Sequence, residues 1–224
     1  MHPALSHTAA IDPQGRRMYT LYGNAISGNC WKPAFMLRQR CLPFRWVEID
    51  ILQGASRTPA FLAMNPNGRV PLLQLPDGRQ LAESNAMLLH LGEGTPWLPK
   101  DAYDRAKVYE WLFFEQYSHE PAIATVRFWV ARLNKGEEWR EKIAATIVQG
   151  HAALGVMEQQ LARTAFLTGD TPTLADIALY AYTHVAEEGG YRLDSYPAVR
   201  GWLARFAALP GFVTMPCTTA ADPD

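Results

Sequence analysis

The sequence predicts an α/β domain with a mixed four-stranded sheet, followed by an all-α domain. Three observations support this prediction. Short apolar runs alternate with helical patterns up to about residue 92. A glycine- and proline-containing stretch at residues 92–96 then interrupts the pattern, and beyond it nearly every apolar residue follows helical spacing. We therefore expect a flexible extension at 1–17, the α/β domain at 18–92, a linker at 93–101 and the helical domain at 102–224.

Composition limits the classes of protein to which the chain can belong. Hydrophobic residues make up 48% of the 224 residues, which is enough for a packed core. The net charge of -1 argues against a nucleic-acid-binding surface. No apolar run approaches the ~20 residues of a membrane span. Three widely spaced cysteines without metal-ligand spacing, and an N-terminus without the apolar core of a signal peptide, predict a cytoplasmic protein with free thiols and no metal.

The elements of the first domain follow from apolar runs and turn residues. The Pro76-Asp77-Gly78 sequence predicts a tight reversal between two antiparallel strands, and Ser84 is a typical helix N-cap. In chain order the predicted elements are strand 18–22, helix 30–40, strand 44–51, helix 60–64, strand 70–75, strand 79–82 and a helix from Ser84. A parallel pair with a crossover helix plus an antiparallel hairpin gives a mixed four-stranded sheet, which is the thioredoxin-like layout.

The second domain is predicted to consist of helices alone. One long pattern covers 101–133 and should kink or break at Pro121, and others cover 137–162, a stretch from Thr173, and 197–209. Thr173 stands at an N-cap with Asp176 at the third helical position, which is a capping-box variant. We interpret this pair as structural, so replacing Asp176 with alanine should cost ~1 kcal/mol or somewhat more.

Two residue pairs in the first domain point to a ligand. Pro71 cannot donate a ladder hydrogen bond, and a cis bond after Val70 would turn the Val70 backbone groups toward a peptide-like ligand. Ser84 at a helix N-terminus favours an incoming carboxylate, and Glu83 beside it could pair with an ammonium. A carboxylate and an ammonium together suit a free α-amino acid group. The alternative interpretation is an N-cap serine beside a solvated glutamate.

The stretch from Asn65, NPNGRVPLL, continued by LAESNAMLLHL, resembles the glutathione-binding segment of cytosolic glutathione transferases. With TPTLADIALYAYTH and YPAVRGWLARFAALPGF, the resemblance covers roughly residues 18–212. It implies glutathione as cosubstrate, with Val70 and Pro71 against its cysteinyl backbone and Glu83 and Ser84 against its γ-glutamyl end. It also implies a homodimer.

Glutathione chemistry requires a thiolate, because a thiol is a poor nucleophile. The loop before the first helix offers a hydroxyl at Ser27 and an amide at Asn29 close to a helix N-terminus. Ser27 falls where theta-like, serine-type bacterial transferases carry their serine, and Ser27-Gly28-Asn29 resembles the Thr-Pro-Asn of nu-type transferases. The resemblance therefore implies Ser27 and Asn29 as catalytic residues. Tyr22 and Cys30 remain alternatives, as in the tyrosine- and cysteine-type classes.

The resemblance implies a glutathione transferase that attacks a small hydrophobic electrophile. Aromatic residues of the predicted long helix are candidates to contact that substrate: Phe113, Phe114, Tyr117, Phe128 and Trp129. Two alternatives stay open, namely a nu-like glutathione-dependent disulfide or peroxide reductase and a non-catalytic ligand-binding member of the fold.

Overall fold

The computed structural model describes residues 10–11, 15 and 17–216. These residues divide into two compact units. The first contains the described residues up to Leu91 together with residues 211–216, and the second runs from Gly92 to Pro210. Most of the predicted extension, and Cys217, lie outside the described residues.

The first unit combines five strands and three helices. In chain order they are β1 (Ala10–Ile11), β2 (Arg17–Gly23), α1 (Gly28–Gln39), β3 (Phe44–Glu48), α2 (Pro59–Met64), β4 (Leu72–Gln74), β5 (Gln80–Ala82) and α3 (Ser84–Gly92). Strand β2 pairs in parallel with β3 and antiparallel with β4, and β4 pairs antiparallel with β5. The predicted mixed four-stranded sheet and its thioredoxin-like order are confirmed.

Strand ends differ from the predicted ones for local chemical reasons. Strand β3 ends at Glu48, short of residue 51, because the Asp50 carboxylate accepts hydrogen bonds from the backbone N–H groups of Leu52 and Gln53 and turns the chain. Strand β4 begins only at Leu72, since Pro71 has no N–H to donate. Ala10 and Ile11, predicted to lie outside the fold, pair antiparallel with the start of β2.

Residues 211–216 pack on helix α1, although the sequence places them with the helical domain. Trp31 Nε1 donates to the carbonyl of Val213 at 3.0 Å. The rings of Phe35 and Phe212 lie 6.2 Å apart. Phe212 follows the last helical pattern, so the helical periodicity of the sequence contains no signal for this contact.

The second unit is helical. Its helices are α4 (Ala102–Phe114), α5 (Glu120–Arg127), α6 (Arg140–Leu161), α7 (Leu174–Thr183) and α8 (Pro197–Ala207). The predicted interruption at Pro121 takes the form of a π-helical turn, Glu115–His119, after which Pro121 occupies the first turn of α5, where its missing N–H is tolerated. Every residue of α7 is buried, so this helix forms the centre of the unit. Among the described helices, none is both long and apolar enough to cross a membrane.

Candidate functional site

The loop between β2 and α1 is held in place by strand β3. The Asn24 side chain donates to Glu48 Oε1 at 2.9 Å and to the Ile49 carbonyl at 3.1 Å. The Ala25 N–H also donates to Glu48 Oε1, at 3.1 Å. Three hydrogen bonds therefore tie the loop to Glu48, the last residue of the neighbouring parallel strand, and to Ile49 after it, and they fix the position from which α1 begins.

Ser27 stands at the N-cap of α1, but it caps the helix with its backbone alone. Its carbonyl accepts from the N–H groups of Cys30 and Trp31, both at 3.1 Å, and the side chain makes no capping hydrogen bond. The hydroxyl instead hydrogen-bonds to the sulfur of Cys30. The Ser27 side chain therefore does not cap α1.

Asn29 and Ser84 are 55 positions apart in the chain and hydrogen-bonded in the structure. Ser84 Oγ donates to Asn29 Oδ1 at 3.2 Å. Asn29 lies in the first turn of α1, and Ser84 is the first residue of α3 and 95% buried. Asn29 is predicted to face the sulfur of glutathione, and Ser84 is predicted to face its γ-glutamyl end. The two residues thus meet where the N-termini of two helices come together.

A lysine that sequence analysis missed lies at the same place. Lys32 is fully buried, and its ammonium is 3.4 Å from Ser84 Oγ and 3.2 Å from Asn85 Oδ1. Lysine is seldom buried unless it has partners. The available signal was a charged residue inside a run of apolar positions on α1, directly after the candidate loop.

Helix α3 begins after an unusual backbone conformation at Glu83. Glu83 precedes the helix with a backbone φ of +66°, which is uncommon for a residue with a Cβ atom. Its carbonyl accepts from the Met87 N–H at 3.0 Å, and its side chain is exposed. The first turn of α3 contains no acidic residue. Such a non-glycine outlier beside a helix N-terminus is typical of a functional site.

The Val70–Pro71 bond is cis, as hypothesised from the sequence. The preceding loop is held by Asn65, whose side chain donates to the Arg69 carbonyl at 2.8 Å and accepts from the Asn67 N–H at 3.2 Å. Asn65 is 5% exposed, so its amide is part of the interior of the loop. The sequence identified the turn but not the structural role of Asn65.

The structure disfavours both alternative sulfur-contacting residues. Cys30 is fully buried, and burial raises the pKa of its thiol to about 12. Tyr22 is 1% exposed and packs with Phe61 and Leu72. Burial raises its pKa, against a smaller lowering by Arg45. Neither group can readily supply an anion or an accessible donor at neutral pH.

Two family models match the chain. Residues 26–93 match the glutathione S-transferase N-terminal domain, and residues 137–205 match the glutathione S-transferase C-terminal domain. Glutathione S-transferase 3 of Zea mays is 34% identical over 208 residues, covering 86% of this chain and 90% of the relative.

Solved structures show the same similarity. A glutathione S-transferase from Pseudomonas fluorescens Pf-5 superposes with a TM-score of 0.86 at 48% identity, covering 88% of this chain and 98% of the other. Ure2p in complex with glutathione superposes with a TM-score of 0.79 at 26% identity, covering 87% and 96%. From the fold, the two domain matches and these relatives, we conclude that the chain belongs to the glutathione S-transferase family.

Proposed function

We propose that this protein binds glutathione at the N-termini of α1 and α3 and activates its thiol for attack on small hydrophobic electrophiles. The observation that carries the proposal is the 3.2 Å hydrogen bond between Ser84 and Asn29. It joins the candidate residue for the γ-glutamyl carboxylate to the candidate residue for the sulfur, so one glutathione molecule could contact both. Glutathione is the cosubstrate in this proposal, and no metal takes part.

Ser84 and Glu83 would bind the γ-glutamyl end of glutathione. The N-terminus of α3, which begins at Ser84, suits the carboxylate, because helix N-termini favour negative charge. The exposed Glu83 carboxylate suits the ammonium. Val70 and Pro71 would meet the cysteinyl backbone, and the sulfur would lie at the N-terminus of α1.

Ser27 and Asn29 would stabilise the thiolate. The Ser27 hydroxyl would turn from the Cys30 sulfur to the sulfur of glutathione. This hydroxyl donor, the Asn29 amide donor and the N-terminus of the 12-residue helix α1 each favour the anion. The thiolate sulfur would form a carbon–sulfur bond with the electrophile, and a leaving group such as halide would depart with its electron pair. Phe113 and Tyr117, two of the aromatic candidates named from the sequence, are exposed.

A second candidate function is the reduction of disulfides or peroxides with glutathione. The position of Asn29 favours it, because the resemblance to nu-type transferases rests on an asparagine at this place in the loop. In this reaction two glutathione molecules would be oxidised to their disulfide while the substrate disulfide or peroxide takes up two electrons.

Calorimetry with glutathione, followed by turnover assays, tests the proposed function. The panel should contain an aromatic halide, a small disulfide and a peroxide, each with glutathione. We expect saturable binding and conjugation of the halide. Turnover of disulfide or peroxide alone would favour the reductase, and binding without any turnover would favour a non-catalytic ligand carrier. Absence of binding would contradict all three. The proposal includes a homodimer, which light scattering of the purified protein would measure.

A further inference from the structure

Helix α1 contributes a buried cation to the candidate site. Lys32 follows Asn29 by three residues, so both lie on the same side of the helix. The Lys32 ammonium is 3.4 Å from Ser84 Oγ and 3.2 Å from Asn85 Oδ1, the two side chains that begin α3. The positive charge therefore lies at the N-terminal, positive end of a helix, where an anion would be stabilised by both.

The chemistry of the lysine determines the direction of the hydrogen bonds around it. An ammonium has three donors and no acceptor, so Ser84 Oγ can only accept from Lys32. A serine hydroxyl has a single hydrogen, and Ser84 directs it to Asn29 Oδ1. The chain of donors therefore runs from Lys32 to Ser84 to Asn29.

This chain also orients the amide of Asn29. Because Ser84 donates, the Asn29 atom that faces it has to be the oxygen, and the NH2 group lies on the other side of the amide. An NH2 group is the part of asparagine that can donate to a thiolate. Without Lys32, the Ser84 hydroxyl could turn and accept from Asn29, and the amide could then present its oxygen to the sulfur.

We propose that Lys32 is a positioning residue that orients Ser84 and Asn29 as donors and adds the positive charge that attracts the γ-glutamyl carboxylate. This inference rests on the proposed function. It connects the two ends of the ligand, since the same ammonium acts on the carboxylate directly and on the sulfur through Ser84 and Asn29. A carboxylate bound at the N-terminus of α3 would lie close to the Lys32 ammonium, which is 3.4 Å from Ser84 Oγ, and would be stabilised by its positive charge.

The first experiment compares two ligands by calorimetry. One is glutathione, and the other is γ-aminobutyryl-cysteinylglycine, which differs only in lacking the α-carboxylate. Lys32→Met keeps much of the buried stem and removes the charge, and Lys100→Met, at an exposed position, is the matched control. We expect Lys32→Met to weaken glutathione binding about tenfold and to leave binding of the analogue unchanged. Equal losses for both ligands would mean a purely structural lysine and would overturn the inference.

The second experiment measures the thiol pKa of bound glutathione from the thiolate absorbance. Lys32→Met should raise this pKa by roughly half a unit to one unit, because the Asn29 amide is no longer held as a donor. Ser84→Ala interrupts the same chain and should cause a similar shift, and the double variant should add little to either single one. If Lys32→Met does not fold, Ser84→Ala still tests the chain. Unchanged titration in Ser84→Ala, or full additivity in the double variant, would overturn it.

The outcomes separate this inference from the function on which it rests. A wild-type protein that fails to bind glutathione contradicts the proposed function and the role of Lys32 together. A wild-type protein that binds glutathione, with a Lys32→Met variant that matches it in affinity, ligand preference and thiol pKa, contradicts the role of Lys32 alone.

Discussion

Helices α3 and α7 both begin with a hydroxyl residue, and they use it in opposite ways. At α7, Asp176 closes the helix start: its carboxylate accepts from the N–H and the hydroxyl of Thr173, from the Leu167 N–H and from Trp202 Nε1. At α3, no acidic residue stands in the first turn, and the Ser84 hydroxyl donates to Asn29 on another helix.

The difference separates a structural helix start from a candidate binding site. The donors at α7 are satisfied by a carboxylate of the chain itself, 0% exposed. At the N-terminus of α3, the Lys32 ammonium lies beside Ser84, and the first turn contains no acidic residue. This helix start is therefore complementary to the carboxylate of a ligand. Substitutions at α7 should therefore affect stability, and substitutions at α3 should affect binding.

The largest effect is expected for Asp176→Ala. Its removal leaves the N–H groups of Leu167 and Thr173 and the indole N–H of Trp202 without their acceptor in the interior. We expect a loss of roughly 3–5 kcal/mol, because each unsatisfied buried donor costs about 1–3 kcal/mol. Burial of the carboxylate makes this cost larger than the sequence-based ~1 kcal/mol for a surface cap. Urea unfolding measures it, with Asp170→Ala, at an exposed position, as control; equal midpoints for the two variants would refute the structural role.

The Asp176 carboxylate should also make the free energy of unfolding depend on pH. Burial raises the pKa of Asp176 to about 6 from an ordinary value of 3.8, although four hydrogen bonds lower it. The folded state therefore holds the proton more tightly than the unfolded state, and this contribution to stability is full below about pH 4 and lost as pH rises through about 6. The loss should be roughly 2–3 kcal/mol.

Unfolding of wild type and Asp176→Asn between pH 4 and pH 7 isolates this contribution, because other carboxylates titrate alike in both proteins. The stability advantage of the wild type should shrink as pH rises through the window. An advantage that grows with pH would reverse the assignment.

At α3, Ser84→Ala and Glu83→Ala should weaken glutathione binding and leave folding nearly intact. We expect Kd to rise roughly tenfold to a hundredfold for Ser84→Ala, because alanine removes the hydroxyl that accepts from the Lys32 ammonium at the N-terminus of α3, and a hydrogen bond to a charged group contributes about 1.5–3 kcal/mol. Calorimetry measures the affinity, with Ser195→Ala and Glu187→Ala at exposed positions of the helical unit as controls. Wild-type affinity in both α3 variants would exclude this helix as the binding site.

Ser27→Ala combined with Asn29→Ala should act on the sulfur and less on affinity. Removing two donors should raise the pKa of bound glutathione by about one unit, which corresponds to ~1.4 kcal/mol. The thiolate absorbance of the complex, titrated with pH, gives the value for each single variant and for the double one. Identical titration curves for wild type and double variant would show that other groups stabilise the thiolate.

The smallest effect is expected for Cys30→Ala. The buried thiol, with its pKa raised to about 12, cannot serve as a nucleophile, so activity with glutathione should be unchanged. The loss of a small buried group should cost about 1 kcal/mol in unfolding free energy. Mass spectrometry after incubation with glutathione disulfide provides a second readout, and a mixed disulfide at Cys30 would restore the cysteine-type alternative.

The sequence by itself determined the order of the elements and most of the candidate residues. Apolar periodicity and turn residues are local properties. Neighbouring residues alone therefore predicted the strands, the helices, the capping box at Thr173 and the helix start at Ser84. The hypothesised cis bond at Val70–Pro71 is likewise a property of one dipeptide and its turn.

Only the tertiary structure decided which groups meet. The bond between Ser84 and Asn29, the burial of Lys32 beside them, and the contacts of Leu167 and Trp202 with Asp176 join residues that lie 9 to 55 positions apart. No local pattern encodes such distances, because they depend on how helices and strands pack once they have formed. For the same reason, burial of Cys30 and Asp176, and with it the direction of their pKa shifts, became known only from the folded chain.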